Sequence, residues 1–262
     1  MHAADPARRD ELLALATSVA HEAGAGLREV FGRALAISAK STPTDLVSEA
    51  DLTTERLIRA RLEAARPDDA IIGEEGDDRP GTSGLRWVVD PLDGTVNFLF
   101  GIPQWCVSIA CEDARGGLAG VVFDPMRDET WEATRDGPAT LDGTPISLRR
   151  RDGLSTALVA TGFGYDAAVR AAQAPVVARL LPHVRDLRRL GAAALDLAWT
   201  AGGRLDAYYE RGVKHWDSAA GALICARAGL VLRELPPAPP AEGGLLVAAP
   251  GIADELLALV TD

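Results

Sequence analysis

The stretch Trp87-Val88-Val89-Asp90-Pro91-Leu92-Asp93-Gly94-Thr95, WVVDPLDGT, leaves an apolar strand and meets two acids, a glycine and a hydroxyl. Pro91 fixes its own φ and pushes Asp90 out of the helical region. Asp90 and Asp93 can then sit on one turn with both carboxylates facing one point, and the Leu92 carbonyl can join them. Gly94 permits close backbone approach, and Thr95 opens a short helix whose N–H groups and hydroxyl favour an anion. Hard oxygen donors beside a phosphate-sized pocket suit Mg²⁺. The plainer reading of the same residues is a polar turn with an Asp helix cap.

Working outward, the chain has 262 residues and is 47% hydrophobic, enough for one large domain or two modest halves with a sizeable core. Its 27 Lys+Arg against 38 Asp+Glu leave a formal charge of -11, which repels nucleic acid and anionic lipid and turns attention to metals and small substrates. Cys106, Cys111 and Cys225 lie in apolar runs without CxxC spacing, so neither a disulfide framework nor a zinc site is expected, and a reducing cytoplasm fits. The first residues have no signal-peptide core, and no run reaches the roughly 18 apolar residues of a membrane span. The four histidines show no HExxH-like spacing.

Leu12, Leu15, Val19, Ala23, Leu27 and Val30 recur at helical spacing and predict a helix from about 9 to 32. Ser48-Glu49-Ala50-Asp51 has capping-box spacing ahead of a second helix to about Ala65, stopped by Pro67. Strands are expected at AIIG, RWVVD, WCVSIAC and LAGVVFD, followed by a hairpin over 131–146 that turns at Asp142-Gly143. This half, residues 1–150, reads as largely antiparallel α+β. In residues 151–262 strands alternate with helices: STALVATGF, helix 167–181, RDLRRLG, helix 192–202, LDAYYE, helix 218–228, LVLREL and GGLLVAAP. That order argues for α/β layering in the second half, and the two halves are expected to form one compact unit. PPAPPAEGG at 236–244 reads as a surface loop.

Other acids repeat the strand-end theme. Glu74-Glu75 in IIGEEG follow a strand and are flanked by glycines, or are simply a solvated loop. Asp217 in KHWDSAAG sits where a helix begins, either as an N-cap or as a ligand buried behind Trp216. Glu210 ends LDAYYE, and could equally be a surface acid. Asp45 and Asp51 flank a helix start as a turn residue and the N3 acid of the box. Lys40 is a surface lysine or a counter-charge for phosphate.

Four segments in order, KSTPTDLVSEAD, IIGEEG, WVVDPLDGTVNF and YYERGVKHWDSAAG, resemble the inositol monophosphatase family of Mg²⁺-dependent, lithium-sensitive phosphatases, over about residues 36 to 229. The resemblance implies a layered αβαβα sandwich, usually a homodimer, hydrolysing small phosphate monoesters with two or three Mg²⁺ ions by in-line attack of a metal-activated water. It implies Glu74, Asp90 and the Leu92 carbonyl around one ion, and Asp90, Asp93 and Asp217 around a second. It also implies a third, weaker ion near Glu74. It further implies that Thr95 works with Asp45 on the attacking water, and that Gly94 and Thr95 amides hold phosphate. Glu210 and the loop Gly191-Ala192-Ala193 meet the alcohol, and Lys40 and Asp51 support. Many inositol-cleaving members have Ser or Thr where this chain has Ala192, which leaves the alcohol open: myo-inositol monophosphate leads, with histidinol phosphate next and other sugar or nucleotide phosphates after it.

The charges agree with the resemblance. Two carboxylates about 5 Å apart repel by roughly 3 kcal/mol at an effective dielectric of about 20, so a cluster of four or five calls for divalent cations. Two rivals remain. Aspartyl-phosphate phosphatases use DxDGT, from which DPLDGT differs by one added residue. A family member retained as a regulatory binding protein would keep the same acids with weak catalysis.

Overall fold

In a computed structural model, residues 6–33, 37–39 and 46–261 are described. Helix α1 (Pro6–Val30) is followed by the short antiparallel pair β1 (Ile37–Ala39) and β2 (Leu46–Ser48), then by α2 (Glu49–Ala65). A seven-stranded sheet follows, in the order β3 (Ala70–Gly73), β4 (Arg86–Asp93), β5 (Cys106–Asp113), β6 (Gly116–Asp124), β7 (Glu129–Thr134), β8 (Thr140–Leu141) and β9 (Thr144–Pro145). The β3–β4 pair is parallel and all later pairs are antiparallel. The five-residue helix α3 (Thr95–Leu99) leaves the end of β4.

The second half supplies β10 (Leu158–Thr161), α4 (Ala167–Leu180), β11 (Asp186–Arg188), α5 (Ala193–Ala201), β12 (Ala207–Arg211), α6 (His215–Ala228), β13 (Val231–Leu235), β14 (Gly244–Ala248) and α7 (Ala253–Thr261). Its five strands are ordered β11-β10-β12-β14-β13, parallel around β10 and antiparallel around β14.

Alternation along the central strands builds the layers. Trp87, Val89, Val107, Ile109 and Val121 join the apolar cluster with α1 and α2, whereas Val88, Cys106, Ala110 and Val122 join the cluster that contains α5, α6 and the second sheet. Gly120 lets α6 lie close on β6: a Cβ there would come within 3.1 Å of Ala220 Cα. The result is the αβαβα sandwich, with α1 and α2 outside one sheet, α5 and α6 between the sheets, and α4 and α7 beyond the second. No described helix is long and apolar enough to cross a membrane.

Several boundaries differ from the sequence reading. The strand expected over STALVATGF begins only at Leu158, after a 3₁₀ turn at Leu154–Thr156, and RDLRRLG contributes just three residues to the sheet edge. Helix α6 starts at His215 rather than 218. The terminal helix α7 was not anticipated from the sequence. The Asp142-Gly143 hairpin turn is present, both residues having positive φ (49° and 73°) as a tight turn of this hand requires.

Candidate active site

Three residues apart on a regular strand, Asp90 and Asp93 would point to opposite faces. They do not, because Asp90 pairs with Ser108 and Asp93 with Cys106, only two residues apart on β5, so the segment holding Pro91 bulges and returns both acids to one face. Pro91 has no N–H to lose from the ladder there. That face is the one packed by α5 and α6, where Ser108 Oγ donates to the Trp216 carbonyl at 3.5 Å.

Glu74 arrives from the end of β3, the parallel neighbour of β4. Buried Glu55 of α2 shapes this turn: its carboxylate accepts the N–H groups of Glu75 (2.7 Å) and Gly76 (2.9 Å) and a 2.6 Å bond from Arg59 Nε. Gly73 leaves room for this carboxylate: a Cβ there would sit 2.5 Å from Glu55 Oε1 and displace it. Asp217 comes from the first turn of α6, not as its N-cap but as the third helical residue; the Lys214 N–H donates to Asp217 Oδ2 at 2.7 Å. Oxygens of Glu74, Asp90 and Asp217 all lie within 4.8 Å of one another.

Burial, with Glu74, Asp93 and Asp217 nearby, pushes the Asp90 carboxyl well above the usual carboxylate range. Asp217 is raised in the same way by burial and by Asp93, against the pull of the Lys214 N–H. Packing Asp90 and Asp217 beside other acids without a cation disfavours their charged forms. Their hard oxygen chemistry and spacing fit a divalent ion of the Mg²⁺ type.

Asp93 belongs to the same wall but is spoken for differently. Its Oδ1 accepts the Ala193 N–H (3.0 Å) and its Oδ2 the Ala194 N–H (2.7 Å), so it caps α5, whose own N-cap residue, Ala192, has no side-chain donor or acceptor. The buried Cys106 thiol lies 3.5 Å from Oδ2. Burial raises the Asp93 carboxyl to about 6 despite these donors. The Ala193 amide is therefore engaged by Asp93, and Gly191, Ala192 and Ala193 form the adjoining wall of the cavity.

Gly94 has φ 92° and a Cβ there would meet the Gln104 carbonyl at 2.9 Å, which places Thr95 at the start of α3. Thr95 Oγ1 lies 2.8 Å from Asp51 Oδ1 and 3.0 Å from the Leu92 carbonyl oxygen. Asp51 is fully buried, and its other oxygen closes the capping box of α2, accepting the Ser48 N–H at 2.9 Å. The resemblance pairs Thr95 with Asp45; Asp45 and Lys40 lie outside the described residues, and among the described residues the acid that meets Thr95 is Asp51.

Glu210, at the end of β12, accepts the Tyr208 hydroxyl at 2.8 Å, and burial lifts its carboxyl to about 7. It shares with Glu74, Asp90, Asp93, Thr95 and Asp217 a cavity of about 470 Å³. Asp196, which no motif signalled, lines it too; burial, Asp93 and Glu210 push its carboxyl well up. A larger and more open groove of about 1070 Å³ runs along α6 and β13 and contains none of these clustered acids.

The sequence model of the inositol monophosphatase family matches residues 8–261. Inositol-1-monophosphatase of Mycobacterium leprae (strain TN) is 47% identical over a 274-residue alignment covering 95% of this chain and 93% of that protein. The Nus factor SuhB of Xylella fastidiosa (strain Temecula1) is 44% identical over 186 residues, 71% of this chain and 67% of its own. Among solved structures, the extragenic suppressor protein suhB of Bartonella henselae superposes with a TM-score of 0.89 at 32% identity, covering 96% of this chain and 99% of that one. Fold, acid-lined cavity and relatives together define a phosphoric monoester hydrolase. The chain belongs to the inositol monophosphatase family.

Proposed function

We propose that the protein is a Mg²⁺-dependent phosphatase whose leading substrate is a myo-inositol monophosphate. The observation that carries this reading is the convergence of Glu74, Asp90 and Asp217 within 4.8 Å in the cavity that also holds the Thr95–Asp51 hydrogen bond. Glu74, Asp90, the Leu92 carbonyl, Asp93 and Asp217 would hold two or three ions. When bound, such ions supply charge neutralisation for the phosphoryl oxygens and an acidified water. The chain's own residues do the rest. Thr95 Oγ accepts a hydrogen bond from the attacking water and passes its own proton towards Asp51, whose second oxygen stays fixed by the helix cap. The Gly94 and Thr95 amides steady the phosphate, and Glu210, held by Tyr208, meets a hydroxyl of the alcohol.

The resemblance also supports a homodimer in the cytoplasm. Phe100 and Ile102, 73% and 47% exposed on the loop after α3, offer apolar surface to a second copy, and all three cysteines are buried and unpaired. The test is phosphate release from inositol 1-phosphate and histidinol phosphate with Mg²⁺, with EDTA, and with millimolar Li⁺ added to Mg²⁺. Preference for the inositol ester, abolished by EDTA and inhibited by Li⁺, is expected. Preference for histidinol phosphate would move the substrate assignment. No release from any ester would favour a binding role over catalysis.

A further inference from the structure

Asp51, Glu55 and Arg59 follow one another at i, i+4 spacing on α2 and so share one face of that helix. Asp51 meets Thr95. Glu55 does not line the cavity, yet it is only 2% exposed, behind a turn that already carries Glu74, Glu75, Asp77 and Asp78. A buried carboxylate in such a place is costly unless donors meet it. Three do: the N–H groups of Glu75 and Gly76 and the Arg59 guanidinium.

These bonds bracket Glu74. On one side, Gly73 pairs with Val89 in the parallel ladder, which brings Glu74 and Asp90 out at neighbouring strand ends. Strand β3 stops at Gly73, so the ladder fixes Glu74 from that side alone. On the other side, the Glu75 N–H is held by Glu55 Oε2. Gly76 is held at both its polar groups, its N–H by Glu55 Oε1 at 2.9 Å and its carbonyl by Arg59 Nη2 at 3.2 Å. The turn also closes tightly on the carboxylate, since a Cβ on Gly76 would come within 2.9 Å of Glu55 Oε1.

We propose that Glu55 is a positioning residue for the cation: it touches neither metal nor substrate, and it aims Glu74 at Asp90 and Asp217 by fixing the backbone that follows Glu74. This inference rests on the divalent-ion reading of the site above. Glutamine in place of Glu55 has one acceptor oxygen for two N–H groups and turns an amide NH₂ towards donors. An incoming ion then has to order Glu74 itself, and its affinity falls.

The test is calorimetry of Mg²⁺ binding to the metal-free chain, with hydrogen exchange of the peptide covering 70–76 and phosphate release from inositol 1-phosphate measured in parallel. In Glu55→Gln the Kd for Mg²⁺ should rise about tenfold or more. Exchange over 70–76 should speed up without Mg²⁺ and slow again at saturation, where kcat returns towards the wild-type value. Ile58→Val, which loosens buried packing on the same helix, should leave both the Kd and this exchange unaltered. If Glu55→Gln does not fold, Gly76→Ala at an exposed position displaces the same carboxylate and carries the same expectation. An unaltered Kd, a rise equalled in Ile58→Val, or a raised Kd without faster exchange would overturn the proposal and leave the metal reading standing. A wild type that binds no Mg²⁺ would end both. If Mg²⁺ binds but no ester is cleaved, the phosphatase reading fails, and the Kd and exchange still decide the role of Glu55.

Discussion

Helices α2 and α6 begin alike. Each has an aspartate as its third residue, Asp51 or Asp217, and each aspartate accepts the backbone N–H of the N-cap residue through Oδ2, at 2.9 Å from Ser48 and 2.7 Å from Lys214. They differ in what stands opposite. Asp51 presents Oδ1 to a hydroxyl, Thr95, whereas Asp217 presents its carboxylate to two more carboxylates, Glu74 and Asp90. The local motif orients an acid; the partner across the cleft decides whether that acid handles a proton or a cation. The caps differ as well, since the Ser48 hydroxyl accepts the Ala50 N–H at 3.2 Å, and a lysine side chain has no acceptor with which to return the bond.

The largest effect is expected where charge is removed from the carboxylate group. Asp217→Asn preserves the backbone cap but takes away one of three clustered negative charges, and should lower kcat/KM by about 10³-fold or more, with a raised Mg²⁺ requirement. Asp51→Asn should cost about 10²-fold in kcat without altering the Mg²⁺ requirement, and Thr95→Ala should cost a similar factor. If Asp51 and Thr95 act as one relay, the double variant will be little worse than either single one. A Mg²⁺ titration that shifts equally in Asp51→Asn and Asp217→Asn would erase the distinction between the two helix starts.

The acids gathered at the start of α6 also set a response to pH. Folding raises the carboxyls of Asp90 and Asp217 and lifts Asp93 to about 6. Between about pH 4 and the raised values, the folded metal-free chain therefore binds more protons than the unfolded chain, and stability falls as pH rises through that window. Asp113, held at about 2 by Arg135, acts with the opposite sign but only at lower pH. In EDTA, Tm should decline from pH 5 to pH 8. Saturating Mg²⁺ should raise Tm by about 5–10 °C at pH 8 and by less at pH 5. In Asp217→Asn much of the Mg²⁺ increment should vanish, while in Asp51→Asn it should persist. Scanning calorimetry checks both, and an absent Mg²⁺ increment at pH 8 would argue against a cation among these acids.

What was legible in the sequence was periodicity and local chemistry. Alternating apolar residues placed β4 to β7, Ser48 and Asp51 announced the cap of α2, and Asp142-Gly143 marked the hairpin. Glu74 and Asp90 could be picked out because each ends an apolar strand, and Asp217 because it follows Trp216 at a helix start. What escaped depended on contacts distant in sequence. No local rule reveals that a bulge returns Asp93 to the face of Asp90, or that Asp93 would cap a helix 100 residues away. Nothing local marks Glu55, whose carboxylate is engaged by the turn after β3. Asp51 could be read as a capping acid, but its second oxygen found Thr95 only through the packing of α2 beside β4. Strand β11 pairs only with β10 and keeps just Asp186–Arg188 of the expected RDLRRLG.

The smallest effects probe the caps themselves. Ser48→Ala removes the hydroxyl that accepts the Ala50 N–H and donates to Asp51 Oδ2 at 2.5 Å. An N-cap lost to alanine costs about 1 kcal/mol, or about 2–4 °C in Tm for a domain of this size. Lys214→Ala removes only an exposed side chain paired with Glu242 at 2.6 Å, and should change stability by less than about 0.5 kcal/mol. The activities should diverge in the same order. Asp51 loses one of two bonds that hold Oδ2, so its Oδ1 wanders from Thr95 and kcat drops, whereas Asp217 keeps the Lys214 backbone N–H in Lys214→Ala and stays in place. Measured side by side, a Ser48→Ala enzyme with unaltered kcat would mean that Asp51 is held for Thr95 by the packing of α2 and β4 alone, and that the capping box contributes to stability without contributing to the relay.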